Sequence, residues 1–328
     1  MPKVSVLVPV YNSVRYLPQS LDSLLRQTLT DIEIICIDDA STDGSLAMLN
    51  DYARRDGRIK VLHQEHNTGQ AHARNYGLQH STGDYIAFLD SDDWISDDCL
   101  EQAVRTLDTF PLTDCVLLHV RYYYPDSDTY TDYNMQSFLR LSGREAFELS
   151  LDWSIHGWYV ARRSLYERDP YDESCHSYSD DNTTRLHYYN SREVRTCDGV
   201  FYYRCNPDSV THKVSLHRFD YMLANESMKR HLQRLGVGEP LMCKYETIRL
   251  LVLVDSYMVY HCHGSDLSAA ERRQVLSEMR RVRSTLERHR LDPRVSRKFG
   301  YMVMPSWWLF RAQEWLYFTL RSLLRKNK

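Results

Sequence analysis

Residues 85–96 read YIAFLDSDDWIS. The apolar run at residues 86–89 is typical of a buried β-strand, and it ends in a turn that contains Asp90, Asp92 and Asp93. Three carboxylates crowded into four positions repel one another. The stretch therefore predicts a strand whose acidic end is stabilised by positive charge from elsewhere.

Similar apolar runs precede this strand, and each is followed by a segment with helical spacing. The strand-like runs are at residues 4–10, 32–38 and 59–64. The helical segments are at residues 14–28, 44–55 and 69–80, and another helix is expected from Ser96. Continuously apolar strands that alternate with helices are typical of a parallel sheet covered on both faces. The sequence predicts an α/β fold with a mostly parallel, Rossmann-like sheet.

The second half of the chain differs in pattern and in charge. Residues 1–215 contain 20 Lys and Arg against 33 Asp and Glu, whereas residues 216–328 contain 21 against 11. Helices are expected near residues 217–234, 241–262, 267–290 and 306–325. We therefore predict a domain at residues 1–215 and a helical extension at residues 216–328. The basic extension either faces an anionic surface or packs on the acidic domain.

Acidic side chains follow several of the predicted strands. In an open α/β sheet, ligands bind beyond the carboxyl ends of the strands. The chain has neither G-x-G-x-x-G after its first strand nor G-x-x-x-x-G-K-[ST], which argues against a dinucleotide site or a P-loop. An Asp-x-Asp turn offers oxygen ligands to Mg²⁺ or Mn²⁺, which would in turn bind phosphates. Alternatively, Asp92 and Asp93 cap the next helix.

The blocks SVLVPVYN, DIEIICIDDASTDGS, NTGQAHARNYGL and TGDYIAFLDSDDW occur in this order within the first 95 residues. This region closely resembles the family 2 glycosyltransferases of the bacterial cell-surface polysaccharide type, and a weaker resemblance continues to about residue 215. The resemblance implies the GT-A fold and an inverting enzyme that uses nucleotide-diphosphate sugars. It also implies a nucleotide-binding half at residues 1–95 and an acceptor-binding half at residues 96–215.

The resemblance implies roles for individual residues. Those expected to bind a UDP-sugar are Pro9, Tyr11, Asp39, Arg74, Asp90 and Arg204. Asp39 would accept the uracil imide N–H, and Arg204 would neutralise phosphate charge. Asp92 would bind Mn²⁺ or Mg²⁺, and His212 would join the metal or the diphosphate.

The resemblance also places a catalytic base in the segment YSDDNTTRLHYYN. The family has a Glu-Asp pair where this chain has Asp180 and Asp181, and Asp181 is expected to be the base while Asp180 orients the acceptor. The alternative is that these acids merely cap a helix. Trp158 and His156 are expected to contact the acceptor, unless they are part of the core.

The last segment, SWWLFRAQEWLYFTLRSLLRKNK, predicts an amphipathic helix. One stripe is apolar and consists of Leu309, Ala312, Leu316, Leu320 and Leu323. The opposite face carries Arg311, Glu314, Arg321 and Arg325. Tryptophan, leucine and a cationic end are typical of a helix that lies on an anionic membrane surface. The alternative is a helix that docks on the rest of the chain.

No signal peptide or transmembrane run is evident, and the eight cysteines lack the paired spacing of a zinc site. We therefore expect a cytoplasmic protein at the inner face of the cytoplasmic membrane. It would transfer one sugar from a UDP-sugar to a lipid-linked glycan in lipopolysaccharide, O-antigen or capsule synthesis. Alternatives are a nucleotidyltransferase or a non-catalytic nucleotide- or glycan-binding module. No nucleic-acid partner is expected.

Overall fold

A computed structural model describes residues 1–175, 177–178, 180–206 and 215–324. The chain divides into two compact units, Met1–Pro207 and Asp208–Lys328. The first contains a large mixed sheet with helices, and the second is helical.

The first unit contains one ten-stranded sheet. Its strands are β1 (Val4–Val10), β2 (Ile32–Asp38), β3 (Ile59–His63), β4 (Tyr85–Phe88), β5 (Trp94–Ile95), β6 (Thr113–Tyr124), β7 (Thr129–Asp132), β8 (Arg140–Ser142), β9 (Tyr159–Arg162) and β10 (Glu193–Arg204). Their order is β3-β2-β1-β4-β9-β6-β10-β5, with β7 beside β6 and β8 beside β10. The helices are α1 (Leu17–Leu25), α2 (Ser45–Arg55), α3 (Gln70–Gln79), α4 (Cys99–Thr109), α5 (Gly143–Ser150), α6 (Arg163–Arg168) and α7 (Asp180–Asn190).

Strands β1 to β4 form the parallel half of the sheet. β1 lies between β2 and β4, and Leu7 pairs with both Ile35 and Phe88. Every residue of β1 and β2 is buried, as their continuous apolar sequences predict. α3 packs closely on one face, where a Cβ on Gly77 would lie 2.6 Å from Ile37. The predicted α/β fold with its mostly parallel sheet is confirmed, and the carboxyl ends of these strands meet at one edge.

The short strand β5 follows the acidic turn directly. It pairs antiparallel with β10, so that Trp94 lies opposite Tyr202. The next helix, α4, begins only at Cys99, and Ser96 donates a hydrogen bond to Asp98 at 2.9 Å instead of capping that helix. Because β5 separates the turn from α4, Asp92 and Asp93 do not cap the helix.

The second unit consists of α8 (Asp220–Arg234), α9 (Glu239–His263), α10 (Ala269–Ser284), α11 (Pro293–Ser296) and α12 (Trp307–Leu323), with single 3₁₀ turns at Leu216–Phe219, Gly264–Asp266 and Arg288–Arg290. Leu250 and Leu253 of α9, Met279 of α10 and Phe310 and Phe318 of α12 belong to one apolar core. None of the helices in the described ranges is long and apolar enough to cross a membrane.

A network of buried charges also joins the helices of this unit. Arg249 and Glu246, which are 2% and 1% exposed, form a hydrogen bond of 2.9 Å within α9. Lys229 of α8 lies 3.0 Å from Glu246, and Arg249 donates to Thr285 at 2.7 Å and lies 3.5 Å from Glu226. Part of the positive charge of the basic extension is therefore neutralised inside the unit.

Helix α12 presents two different faces. The buried face carries Phe310, Gln313, Glu314 and Phe318. The exposed face is apolar and carries Trp308, Leu309, Trp315, Leu316, Leu320 and Leu323. Glu314, which the sequence places opposite the leucine stripe, therefore lies on the side of the helix that packs against the core. Arg325 lies outside the described residues.

Candidate active site

The loops after β1 and β2 are tied together by Asn12. Its side-chain Oδ1 accepts hydrogen bonds from the main-chain N–H groups of Thr42, at 2.8 Å, and Asp43, at 3.3 Å. Asn12 has a φ of 50°, a left-handed conformation that Asn tolerates better than most residues. The neighbouring Tyr11 is 49% exposed, whereas Pro9 is buried within β1. Tyr11 is therefore accessible to a ligand, and Pro9 shapes the strand beneath it.

Asp39 connects β2 to the start of α3. The Asp39 Oδ1 atom accepts from Thr68 N at 2.8 Å, and its Oδ2 atom accepts from Gly69 N at 2.9 Å. Oδ1 also accepts from the Thr68 hydroxyl at 3.0 Å, and because a carboxylate has about two acceptor sites on each oxygen, Oδ2 retains capacity for a ligand N–H. A cavity of about 270 Å³ adjoins this position, lined by Thr68, Gly69, Ala71, His72, Glu173 and Cys175.

Asp90, the first acid of the turn after β4, is bound by α3. The Arg74 Nη2 atom donates to Asp90 Oδ1 at 2.7 Å, and Gln70 Nε2 donates to the same oxygen at 2.5 Å. Arg74 is only 1% exposed and also donates from Nη1 to Asp180 Oδ2 at 2.9 Å. Burial lowers the pKa of Arg74, but the charges of Asp90 and Asp180 outweigh it and raise the pKa. Arg74 is therefore one of the positive charges that the acidic turn requires.

Arg204, at the end of β10, holds the other side of the turn. Its main-chain N–H donates to Asp93 Oδ1 at 2.8 Å, and its Nε donates to the main-chain oxygen of Asp92 at 2.8 Å. The Nη2 atom donates to Gln19 at 2.6 Å, and the guanidinium lies 4.7 Å from the ring centroid of Trp94. Arg204 thus packs beneath the turn, and its contact with a diphosphate stays a prediction.

The remaining acids of the turn lie in an environment that disfavours their ionised forms. Burial and the charge of Asp90 raise the pKa of Asp92, although Asn206 donates to Asp92 Oδ2 at 3.2 Å. Burial and the charges of Asp92 and Asp90 raise the pKa of Asp93 well above its usual range. A cation close to Asp92 would stabilise both carboxylates.

Asp180 and Asp181 begin α7, where a helix N-terminus favours negative charge. Asp180 is paired with Arg74, whereas Asp181 accepts no hydrogen bond from the described part of the chain. Burial and the charge of Asp180 raise the pKa of Asp181 to about 8, against a smaller opposing effect of Arg185. The geometry therefore joins the acidic turn and the acid pair through one arginine, and it leaves the Asp181 carboxyl available.

Tyr133 lies near Asp181 and is bonded to Trp153. Burial and the charges of Asp152 and Asp181 raise the pKa of Tyr133, whose hydroxyl donates to the main-chain oxygen of Trp153 at 2.6 Å. Trp153 has a φ of 59°, which is unusual for a bulky residue, and the guanidinium of Arg185 lies 4.8 Å from its ring centroid. No pattern in the sequence indicated that Tyr133 would lie near Asp181.

His156 and Trp158 were expected to contact the acceptor. His156 is 1% exposed, its Nδ1 accepts from Trp158 N at 3.2 Å, and burial lowers its pKa to about 3. A direct contact between His156 and an acceptor does not fit this burial. Trp158 is partly buried and packs against Phe201 and Tyr203, with ring centroids 5.6 and 5.5 Å away. Its contact with an acceptor stays a prediction.

His212 lies outside the described residues. Within the described ranges, no group of three or more His, Cys, Asp or Glu side chains is arranged to hold a metal ion. A divalent cation that binds phosphates commonly takes only one or two protein carboxylates. The raised pKa of Asp92 and its position in the turn therefore fit a cation that shares its ligands with a diphosphate.

Solved structures of similar fold cover almost the whole chain, and they identify the class to which the fold belongs. The chain resembles the S. aureus TarS 1–349 structure in complex with UDP-GlcNAc with a TM-score of 0.73 and 18% identity, over 99% of this chain and 92% of that one. The mannosyltransferase PcManGT from Pyrobaculum calidifontis, solved with GDP-Man and Mn²⁺, gives a TM-score of 0.54 and 18% identity over 99% and 88%. These similarities establish the GT-A fold.

Residues 5–174 match the model of the family described as Glycosyl transferase family 2, and the chain belongs to this family. It is 35% identical to the uncharacterized glycosyltransferase EpsJ of Bacillus subtilis over 225 residues, which are 64% of this chain and 63% of EpsJ. It is 49% identical to the putative glycosyltransferase EpsH of the same organism over 105 residues, 32% of this chain and 30% of EpsH. The chain thus spans less than two thirds of the curated relatives it matches.

Proposed function

We propose that the chain is an inverting glycosyltransferase that moves one sugar from a UDP-sugar to a hydroxyl group of a glycan acceptor. The observation that carries this proposal is the Asp181 carboxyl. It has no hydrogen-bond donor among the described residues and a pKa raised to about 8, and Asp180 and Arg74 connect it to the acidic turn. A general base works best when its pKa lies near the working pH.

The residues suggest how the transfer proceeds. The ionised Asp181 accepts the proton of the acceptor hydroxyl as that oxygen attacks the anomeric carbon. The new carbon–oxygen bond forms on the face opposite the diphosphate, and the bond to the diphosphate oxygen breaks with its electron pair. The products are the glycoside with inverted configuration and the nucleoside diphosphate. Asp180 stays paired with Arg74 and orients the acceptor.

The donor site lies at the carboxyl edge of the parallel strands. Tyr11 is exposed there for contact with a base, and Asp39 has oxygen lone pairs for a ring N–H. TarS, which shares the fold, has been solved with UDP and with UDP-GlcNAc, and this supports a UDP-sugar as the donor. PcManGT was solved with GDP-Man, so a guanine nucleotide is the alternative that a binding experiment must test.

A divalent cation, Mn²⁺ or Mg²⁺, fits at Asp92. Bound there, the ion would stabilise the negative charge that grows on the leaving diphosphate. Asp92 would hold it, Asn206 would fix the orientation of the Asp92 carboxylate, and Arg204 would keep the turn in place. Mn²⁺ in the PcManGT structure supports this assignment.

The acceptor that we propose is a glycan carried on a lipid, in lipopolysaccharide, O-antigen or capsule synthesis. Another relative, the poly(ribitol-phosphate) beta-glucosyltransferase of Bacillus spizizenii, is 44% identical over 101 residues, 30% of this chain and 16% of that protein, and its name supports a cell-surface polymer. The exposed apolar face of α12 supports a contact with the membrane surface on which such an acceptor would lie.

Calorimetric titration of UDP tests the donor site. We expect binding in the presence of Mn²⁺ and much weaker binding in EDTA, because the acidic turn repels a diphosphate without a cation. Binding of GDP but not of UDP would contradict the proposed donor. Formation of a nucleotide sugar from a sugar phosphate and UTP would favour a nucleotidyltransferase.

The variant Asp181→Asn tests the base. It should lose transfer by roughly 10²- to 10⁴-fold, the usual contribution of a general base, while UDP affinity is retained. Asp56→Asn is the matched control, because Asp56 precedes β3, at the amino ends of the parallel strands, and pairs with the nearby Arg58. An Asp181→Asn variant with near wild-type turnover would refute the assignment, and a wild-type protein that binds UDP but transfers no sugar would indicate a binding module.

A further inference from the structure

Helix α3 contacts both halves of the proposed active site. Toward the acidic turn it presents Gln70 and Arg74, which both bond to Asp90. Toward the segment before α7 it presents Asn75, which exchanges two hydrogen bonds with the main chain of Tyr171 at 2.8 and 2.9 Å. One helix therefore positions the donor side and the acceptor side together.

The Arg74 side chain is the central connection between these two sides. Its two terminal nitrogens bond to carboxylates that are far apart in the sequence, Asp90 at 2.7 Å and Asp180 at 2.9 Å. The guanidinium lies 4.5 Å from the ring centroid of Phe88 and 5.3 Å from that of Tyr171. With 1% exposure, the group cannot turn toward solvent without breaking these contacts.

We propose that Arg74 is a positioning residue that fixes the start of α7 against the acidic turn, so that Asp181 faces the donor in the orientation needed for proton transfer. This inference rests on the proposed function. It assigns Arg74 a role between the two sides of the site, in place of the contact with the nucleotide that the family resemblance implied.

Charge gives Arg74 a second effect on Asp181. The charge of Asp180 raises the pKa of Asp181, and the guanidinium of Arg74, bonded to Asp180, partly offsets that charge. Without Arg74, the charge of Asp180 would act on Asp181 at full strength. Without the charge of Asp180, ionisation of Asp181 would be easier. Replacing Arg74 and replacing Asp180 should therefore shift the pKa of Asp181 in opposite directions.

The test compares the pH dependence of kcat in Arg74→Met and Asp180→Asn. In Arg74→Met, we expect kcat to fall by about 10²-fold, as a misplaced catalytic group commonly causes. The acidic limb of the pH–kcat profile should move to higher pH by about one unit in Arg74→Met. In Asp180→Asn it should move to lower pH by about one unit. Donor KM should change much less than kcat in Arg74→Met.

Arg163→Met is the matched control. Arg163 is a partly buried arginine of the same unit that donates to the main-chain oxygen of Gly83 at 2.6 Å and to Ser81 at 3.1 Å. Its loss should lower thermal stability and leave the acidic limb unchanged. Shifts of the same sign in Arg74→Met and Asp180→Asn, or no shift in either, would overturn the inference.

Arg74→Lys covers the case in which Arg74→Met does not fold. A lysine keeps a buried positive charge, but its single ammonium cannot bond to both carboxylates in the fork geometry of arginine. We expect a folded protein with reduced kcat, and a wild-type kcat would overturn the inference. If the wild-type chain transfers no sugar, the proposed function fails. The carboxyl-carbon NMR titration of Asp181 in the same variants then reads the opposite shifts without turnover.

Discussion

At the scale of single residues, the behaviour of Asp181 sets the pH dependence of the proposed reaction. Burial and the charge of Asp180 raise the pKa of Asp181 to about 8. Below that pH most Asp181 carboxyls are protonated and cannot accept the proton of the acceptor hydroxyl. We therefore predict that kcat rises with pH and levels off above about 8. A pH–rate profile at saturating substrate checks this, because kcat reports the groups of the bound complex. A profile that is flat from pH 6 to 9 would contradict it.

The partners of the acidic carboxylates could not be read from the sequence. Arg74 and Arg204 lie 16 and 112 positions away from the turn residues that they bind, and no local pattern marks them as its partners. The acidic residues that follow the predicted strands did indicate that Asp39, Asp90 and Asp92 would lie at the carboxyl edge of the sheet. Burial depends on the complete packing, so the sequence could not show that His156 would lie within the core.

At the scale of elements, helix α12 contains a buried acid, Glu314, whose ionisation destabilises the packing of the helix. Glu314 is 0% exposed, and burial raises its pKa to about 8 despite a hydrogen bond from Gln313 of 2.9 Å. The folded chain therefore binds this proton more tightly than the unfolded chain. This group's contribution to stability falls as pH rises from about 4.5 to about 8 and is constant above that.

The variant Glu314→Gln removes this ionisation. We predict that it is more stable than the wild type at pH 8, by roughly 2 kcal/mol, given about 1.4 kcal/mol for each unit of a pKa difference and partial relaxation of the site. The difference should disappear near pH 4.5. Thermal unfolding of both proteins across this range is the measurement, and a gap that does not change with pH would show that Glu314 is ionised in the fold.

Elements with long, regular sequence patterns could be predicted, and a very short strand could not. Strands β1 and β2 and helix α9 have long, uniform patterns, and their observed bounds lie close to the expected ones. β5 consists of two residues, Trp94 and Ile95, and it exists only because β10 pairs with it. Such a strand has no period of its own, so a sequence pattern could not reveal it.

At the scale of the whole molecule, the positive charge of residues 216–328 had two interpretations, an anionic partner surface or neutralisation by acidic residues of the chain. Lys229, Arg249 and Arg281 pair with buried or partly buried glutamates inside the second unit, which accounts for part of the positive charge. The apolar face of α12 is not covered by the described residues of the second unit, and Trp308 and Trp315 are 73% and 57% exposed. Arg311 lies 5.9 Å from the Trp308 ring, as a cation beside an interfacial tryptophan would.

We predict that this face binds an anionic lipid surface. The full chain should sediment with vesicles of phosphatidylglycerol and phosphatidylcholine, and less so as salt increases, because screening weakens attraction to the headgroups. Leu316→Glu, at a position 44% exposed, should lower binding about tenfold, since a charge on the face opposes burial in the headgroup region. Leu139→Glu, at a position 87% exposed in the first unit, is the control and should bind as the wild type does. If vesicles fail to bind the wild type while light scattering shows a dimer that Leu316→Glu dissociates, a second copy of the chain covers the face and the membrane assignment is wrong.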